Sequence, residues 1–200
     1  MTDHLAHPAQ IQTSRLVLRP PAAGDAAAIA GLCNDAHLAR MTARVPHPYA
    51  QSDAEAFLAY LGSSEDEAAF GLWADGELAG MCGLSRLAED VYELGYWVGA
   101  PWRGQGIARE AAEAVVAFAW RTLKARLLEA GHYADNPISG RILTACGFAP
   151  LFEADLWSEG RQAKADAIRY AATAWGAPLD PAGADALAMR ARVAAKAGVH

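Results

Sequence analysis

The sequence predicts an α/β domain: a mixed, mostly antiparallel sheet flanked by helices. Three observations carry that expectation. Strand-like stretches with alternating apolar residues exchange with amphipathic helical stretches from Thr13 to Thr173. Asp75-Gly76 separates two apolar stretches, and this dipeptide favours the left-handed positions of a two-residue hairpin turn, so its neighbours should run antiparallel. Finally, the strand-like Tyr92–Val98 leads through Arg103-Gly104-Gln105-Gly106-Ile107-Ala108 straight into a helical stretch.

In order, Ser14–Pro20 reads as a strand with Leu16 and Leu18 on one face. A helix follows, with Asp25 as its N-cap and Ile29, Leu32 and Cys33 on its apolar side. The prolines at 46 and 48 break the chain, and Ser52 or Asp53 caps a second helix that ends near Gly62. Strands on either side of Asp75-Gly76 and the strand through Tyr92–Val98 make a meander. The helix after the glycine turn carries Ile107, Ala111, Val115, Phe118 and Ala119 on one side. Ala125–Tyr133 is a short apolar strand. Asn136 as N-cap, Pro137 at the first helical position and Gly147 as the stop delimit the next helix. Strands around Leu151–Trp157 and Lys164–Thr173 bracket a final turn, and an Ala-rich helix closes the chain. The predicted organisation is an N-terminal extension over 1–12, one domain over 13–175 and a helical tail over 176–200.

Composition narrows the function classes. A chain of 200 residues, 53% hydrophobic and 20% charged, builds a sizeable core without disulfides or metal. Cys33, Cys82 and Cys146 show no CxxC spacing and the six histidines no HxxxH pair, which points to a reducing compartment and no metal. The net charge of −6 speaks against a nucleic-acid partner and favours a basic peptide or an amine. The N-terminal residues lack the pattern of a signal peptide, and no apolar run approaches the ~20 residues of a membrane span. The expectation is a soluble, cytoplasmic protein with no membrane partner.

The glycine turn holds the most specific signal. Backbone N–H groups in a turn, added to the positive end of a helix, cradle a phosphate without any particular side chain. A P-loop needs a GK[ST] triplet, whereas Ile107, Ala108 and Arg109 follow Gly106. A dinucleotide fingerprint needs a third glycine where Arg109 stands, and a parallel unit rather than a meander before it.

Arg103-x-x-Gly106-x-Ala108 resembles the Arg/Gln-x-x-Gly-x-Gly/Ala signature of the GNAT superfamily of acyl-CoA N-acyltransferases. The stretch from Asp135 to Phe148 resembles the Asn-x-x-Ser…Gly-Phe helix of the branch containing ribosomal-protein N-terminal acetyltransferases, and Thr13–Pro20 its opening strand. This resemblance spans roughly residues 13–173. It implies a single GNAT-like domain and an acetyl-CoA-dependent N-acetyltransferase moving an acetyl group directly to a primary amine, either a protein N-terminus or a small molecule. It implies that N–H groups from Arg103 through Gly104, Gln105, Gly106 and Ile107 to Ala108 hold the pyrophosphate. It also implies that a backbone N–H of Trp97 or Val98 polarises the thioester carbonyl, and that Asn136 bonds the pantetheine arm. Arg141 is a candidate for a ribose phosphate. Many members place a Tyr acid seven residues after this Asn; here that position is Leu143, and Ser139 is the candidate proton donor to the departing thiolate. Glu93 is the first candidate base, with Glu129, His132, Glu153 and Asp155 as others and a water chain as an alternative. His37, Arg40, His47 and Tyr49 are candidates to line the acceptor side. A ping-pong route through Cys33 or Cys146 is disfavoured because both read as core. A homodimer accords with family habit. The rival readings are a non-catalytic acyl-CoA-binding protein and a dinucleotide enzyme.

Overall fold

The computed structural model describes Leu5 and residues 8–174. Its strands are β1 (Ile11–Gln12), β2 (Leu16–Arg19), β3 (Glu67–Ala74), β4 (Glu77–Ala88), β5 (Val91–Val98), β6 (Leu127–Tyr133), β7 (Ala149–Ser158) and β8 (Ala163–Thr173). Its helices are α1 (Ala26–Cys33), α2 (Ala36–Met41), α3 (Gln51–Ser63), α4 (Ile107–Arg121) and α5 (Pro137–Ala145). The strands form one sheet in the order β1-β2-β3-β4-β5-β6-β8-β7. Every neighbouring pair is antiparallel except β5 and β6. A dinucleotide fold, which needs a largely parallel sheet, is therefore not this one.

Alternation along the strands divides the core in two. Leu16, Leu18, Phe70, Leu72, Leu84, Leu94 and Leu128 point to the face covered by α4, whose Ile107, Ala111, Val115 and Ala119 are buried against them. Met81 and the half-buried Trp97 point the other way, into a smaller cluster with Ile29 and Cys33 of α1 and Ala54 of α3. The Asp75-Gly76 turn has φ of 51° and 84°, as the hairpin requires. Among the described residues, no helix is long and apolar enough to cross a membrane.

Local chemistry shifts several expected boundaries. Ile11–Gln12, expected in the extension, pairs with Val17 and Leu18 as a short edge strand. Asp25 does not cap α1 through its side chain; that carboxylate accepts from Ala22 N–H at 2.8 Å and pairs with Arg19 at 3.1 Å. The first helical stretch breaks after Cys33, because Asp35 Oδ1 accepts from the N–H groups of His37 (2.8 Å) and Leu38 (3.2 Å) and starts α2 afresh. Neither Ser52 nor Asp53 is the N-cap of α3, which begins after Ala50; Asp53 instead reaches back to the Ala50 N–H at 2.7 Å. The helix expected over 176–200 lies outside the described residues.

One carboxylate ties the opening strand to the glycine-turn helix. Glu110, in the first turn of α4, accepts from Thr13 Oγ1 (2.7 Å), Ser14 Oγ (2.9 Å) and Arg15 N–H (3.0 Å). Arg15 also bonds its second oxygen through Nε at 2.7 Å and donates through Nη1 to Gln105 O at 2.8 Å. Burial works against the charge, yet the bonds from Thr13, Arg15 and Ser14 hold the carboxyl down to about 2. A carboxyl lowered on folding contributes stability above its ordinary value of 4.5, and that contribution is lost as pH falls towards about 2. Glu110→Gln should therefore cost roughly 2 kcal/mol at pH 7, lowering Tm by about 4–8 °C. Thermal melts of both proteins should converge below pH 4.5 as the wild-type carboxyl takes up its proton.

Candidate active site

The parallel pairing of β5 and β6 covers only Val91–Glu93 against Leu127–Glu129. Beyond it the two strands continue without pairing each other, to Val98 and Tyr133. Strand alternation determines which amides face the gap. Gly99 N–H bonds Ala79 O at 2.9 Å, so the odd-numbered amides of β5 face β4, while Asp90 O meets the β6 side. The N–H groups of Tyr96 and Val98 therefore point into the gap, and that of Trp97 points to β4. Of the two amides expected as oxyanion donors, that of Val98 faces the gap.

The turn after β5 ends at the N-terminus of α4, beside this gap. Gly104 (φ 75°) and Gly106 (φ 78°) adopt left-handed conformations, Gly106 as the N-cap of α4. Nothing lies within 4 Å of where a side chain on Gly104 would begin. The first bond into the helix runs from Glu110 N–H to Gly106 O, and none of the described bonds gives the amides of Gly104 through Ala108 a carbonyl. Arg103 is spent differently from the expectation. Its N–H bonds Ala100 O at 3.4 Å, and its guanidinium takes Val98 O (3.3 Å) and the Asp35 carboxylate (2.5 Å). Burial opposes the Asp35 charge, but Arg103 and the α2 amides hold it below the usual carboxylate range. Arg103 thus fastens α2 to the turn, and the amides without a carbonyl partner begin at Gly104. Arg141 stands exposed on α5.

Ser139 lies on the first turn of α5, where Asn136 Oδ1 accepts its N–H at 3.4 Å. Its Oγ is 2.9 Å from the Tyr96 hydroxyl, which also reaches Ser139 O at 3.3 Å. Burial pushes the Tyr96 phenol above its ordinary range, outweighing the opposing bond with Ser139, so the phenol keeps its proton. A hydroxyl pair with a permanent phenolic proton can deliver hydrogen to a group beside Ser139. Behind it, His132 Nδ1 donates to Tyr133 O at 2.7 Å, and Nε2 lies 3.3 Å from Tyr170 Oη. A Cβ on Gly140 would lie 2.6 Å from His132 Nε2, so glycine there lets α5 settle on the ring. His132 is buried under α5 and is not presented as a base. The Cys33 and Cys146 thiols, pushed up by burial to about 12 and 11, stay protonated near neutrality and are poor nucleophiles.

Glu93 points to the opposite face of the sheet and is already engaged. Arg169 from β8 crosses Gly131 to bond Glu93 at 2.7 Å and Glu129 at 3.3 Å, and Arg44 lies 3.9 Å from the other Glu93 oxygen. Arg44 continues to Glu67 at 3.4 Å. Glu93 is thus held between Arg169 and Arg44 at the root of the gap. Glu153 and Asp155 are exposed on β7, beyond β8 from the gap, and do not join the site.

Two segments meet over this second face. Glu159 N–H bonds Ala43 O (2.9 Å), Ser158 Oγ bonds Thr42 O (3.2 Å) and Arg161 Nε bonds Arg40 O (2.9 Å). Between them lies a cavity of about 420 Å³ lined by Ala36, Arg40, His47, Arg161 and Lys164 among others. Of the expected lining residues, Arg40 and His47 are there. Tyr49 is buried in the α1–α3 cluster, and His37 is exposed outside the cavity.

A family model for the acetyltransferase (GNAT) domain matches residues 15–149. The chain belongs to the GNAT acetyltransferases. A comparison with curated protein sequences finds no match. Among solved structures, RimL, a ribosomal L7/L12 alpha-N-protein acetyltransferase in complex with coenzyme A, is 18% identical with a TM-score of 0.74, covering 84% of this chain and 99% of its own. The ribosomal-protein-S5-alanine acetyltransferase from Vibrio fischeri is 20% identical with a TM-score of 0.71, covering 84% and 98%. The spermidine N-acetyltransferase from Vibrio cholerae, solved with coenzyme A and spermine, is 18% identical with a TM-score of 0.70, covering 81% and 97%. These likenesses establish the fold.

Within this acetyltransferase, sequence reasoning missed three participants. Alternation could have placed Tyr96 beside Leu94 on the α5 face, but not its contact with Ser139. Asp35 and Arg169 carried no signal, since their partners lie far away along the chain. The left-handed geometry at Gly106 yields a direct expectation. Gly106→Ala should cost about 1–2 kcal/mol in urea unfolding through strain at a positive φ. It should also weaken coenzyme A by more than tenfold in calorimetry, because the amides around it would turn away.

Proposed function

We propose that this protein moves an acetyl group from acetyl-CoA directly to a primary amine, the two substrates meeting through the β5–β6 gap. One observation carries the reading. Amides without a carbonyl partner at the α4 N-terminus stand beside a parting in the sheet. Amides of Gly104 through Ala108 offer their hydrogens to the pyrophosphate, helped by the positive end of α4. The Val98 N–H faces the gap and donates to the oxygen that becomes negative as the amine attacks. Asn136 supplies its side-chain amide to the pantetheine arm while its Oδ1 caps α5. Ser139, bonded to Tyr96, gives its hydroxyl hydrogen to the sulfur as the carbon–sulfur bond breaks. The retained phenolic hydrogen of Tyr96 supports the serine oxygen through that step.

The amine arrives on the face where Glu93 and Glu129 lie, and their negative charge favours an incoming ammonium. The ammonium proton leaves by water towards this cluster. Acceptors of this kind include a protein N-terminus, as in the RimL and ribosomal-protein-S5 enzymes, and small amines, as in the spermidine enzyme.

Saturating coenzyme A or acetyl-CoA, at about one hundred times Kd, should stabilise the protein by about 2.7 kcal/mol, raising Tm by roughly 5–11 °C. NAD should leave Tm unchanged. Ser139→Ala should lower kcat for amine-dependent thiol release about a hundredfold with KM for acetyl-CoA little changed. An unaffected Ser139→Ala enzyme would remove the serine from this role. Coenzyme A binding without acceleration by any amine would leave a binding protein in place of an enzyme.

A further inference from the structure

We infer that the acceptor is an acidic peptide: an amino terminus with carboxylate side chains within its first four or so residues. This rests on the amine-acetylating reading above and names its substrate class.

The chain as a whole carries a net charge of −6, yet the cavity over the amine face has the opposite sign. Arg40, Arg161 and Lys164 line it together with His47, Ala36, Gly160, Ala163 and Ala165, and no acidic residue is among them. Asp135, just outside, pairs bidentately with Arg161 (2.8 and 2.9 Å) and lies 3.5 Å from Arg40. One carboxylate therefore serves two guanidiniums. Arg161 is spent on the fold, lying over the Tyr133 ring and bonding Arg40 O. Arg40 keeps 55% of its side chain exposed at the cavity, where it can bind an anion.

Mostly small residues build the face of the sheet between this cavity and the gap, among them the buried Ala167. Ala163, Ala165 and Ala167 share a face of β8 with Arg169, and Gly131 of β6 and Gly95 of β5 continue it. Nothing lies within 4 Å of a side chain begun at Gly95. The four residue-to-residue steps from Ala165 to Arg169 span about 13 Å. An extended peptide of about four residues covers that length with its amine at the Glu93 end and its side chains at the cations. Negative charge at the root and positive charge at the mouth orient such a chain amine first. A polyamine would set its own cations against Arg40, Arg161 and Lys164. A free acidic amino acid is too short to reach both ends.

The test measures kcat/KM for acetyl-CoA-dependent acetylation of tetrapeptides with free N-termini, carrying acidic, neutral or basic side chains at positions two to four. Free glutamate and spermidine complete the set. The inference expects the acidic peptide to lead the neutral one by about tenfold or more, the size of one charge-assisted bond. Free glutamate and spermidine should be poor. Raising salt should erase the lead in the wild-type protein, an arm that needs no variant. The double charge reversal Arg40→Glu and Lys164→Glu should reverse the preference while the Tm rise with coenzyme A stays intact. Equal or better turnover of neutral or basic peptides, of glutamate or of spermidine overturns the inference while leaving the acetyltransferase reading standing. Coenzyme A binding with turnover of none of them overturns the inference as well. Absence of any Tm rise with coenzyme A overturns both.

Discussion

The arrangement depends on a parallel ladder that stops after Glu93 and Glu129. A backbone N–H or C=O held away from water without a partner costs free energy, so a sheet parts only where water or a ligand replaces the lost strand. Here the amides of Tyr96 and Val98 are left facing the parting. The gap therefore leaves backbone donors without a strand partner, and needs no special side chain to do so. It is also where a donor held on one face of the sheet can meet an acceptor approaching from the other.

Side chains hold the parting in shape from both faces. On the α4 side, Tyr96 of β5 bonds Ser139 at the start of α5, the helix that follows β6. On the opposite side, Arg169 of β8 reaches across β6 to Glu93 of β5. A third link, Arg103 to Asp35, brings α2 to the glycine turn, while the β7–β8 hairpin docks on the far end of the same segment through Ser158, Glu159 and Arg161. The residues that bound the cavity and those of the glycine turn are thus joined through α2.

Charge is distributed against the bulk. The chain is acidic overall, and a uniform reading would favour a basic peptide as partner. Locally the order runs from carboxylates at the root of the gap, Glu93 and Glu129 clamped by Arg169, to cations at the mouth. Interactions between charges fall away over about 8–10 Å in salt, so the near lining governs an approaching acceptor more than the distant total does.

What the sequence by itself determined is what short-range chemistry controls. The Asp75-Gly76 hairpin, the Asn136-Pro137 start of α5, the apolar stripe of α4 and the strand–glycine turn–helix junction all depend on residues within a few positions of one another. Resemblance along those same stretches singled out the glycine turn and Ser139 as candidates. The break between α1 and α2 was legible only in retrospect, because Asp35 could either continue a helix or cap a new one. The tertiary structure decided the rest: that Val98 and not Trp97 faces the gap, that Arg103 belongs to Asp35, that Tyr96 meets Ser139, and that Glu93 is held by Arg169. Each of these turns on which strand lies beside which, and on partners from 40 to nearly 80 positions apart in sequence. Periodicity along the chain records which face a residue points to. It does not record what waits there, because the sheet order that brings β8 beside β6 is set by burial of the whole core.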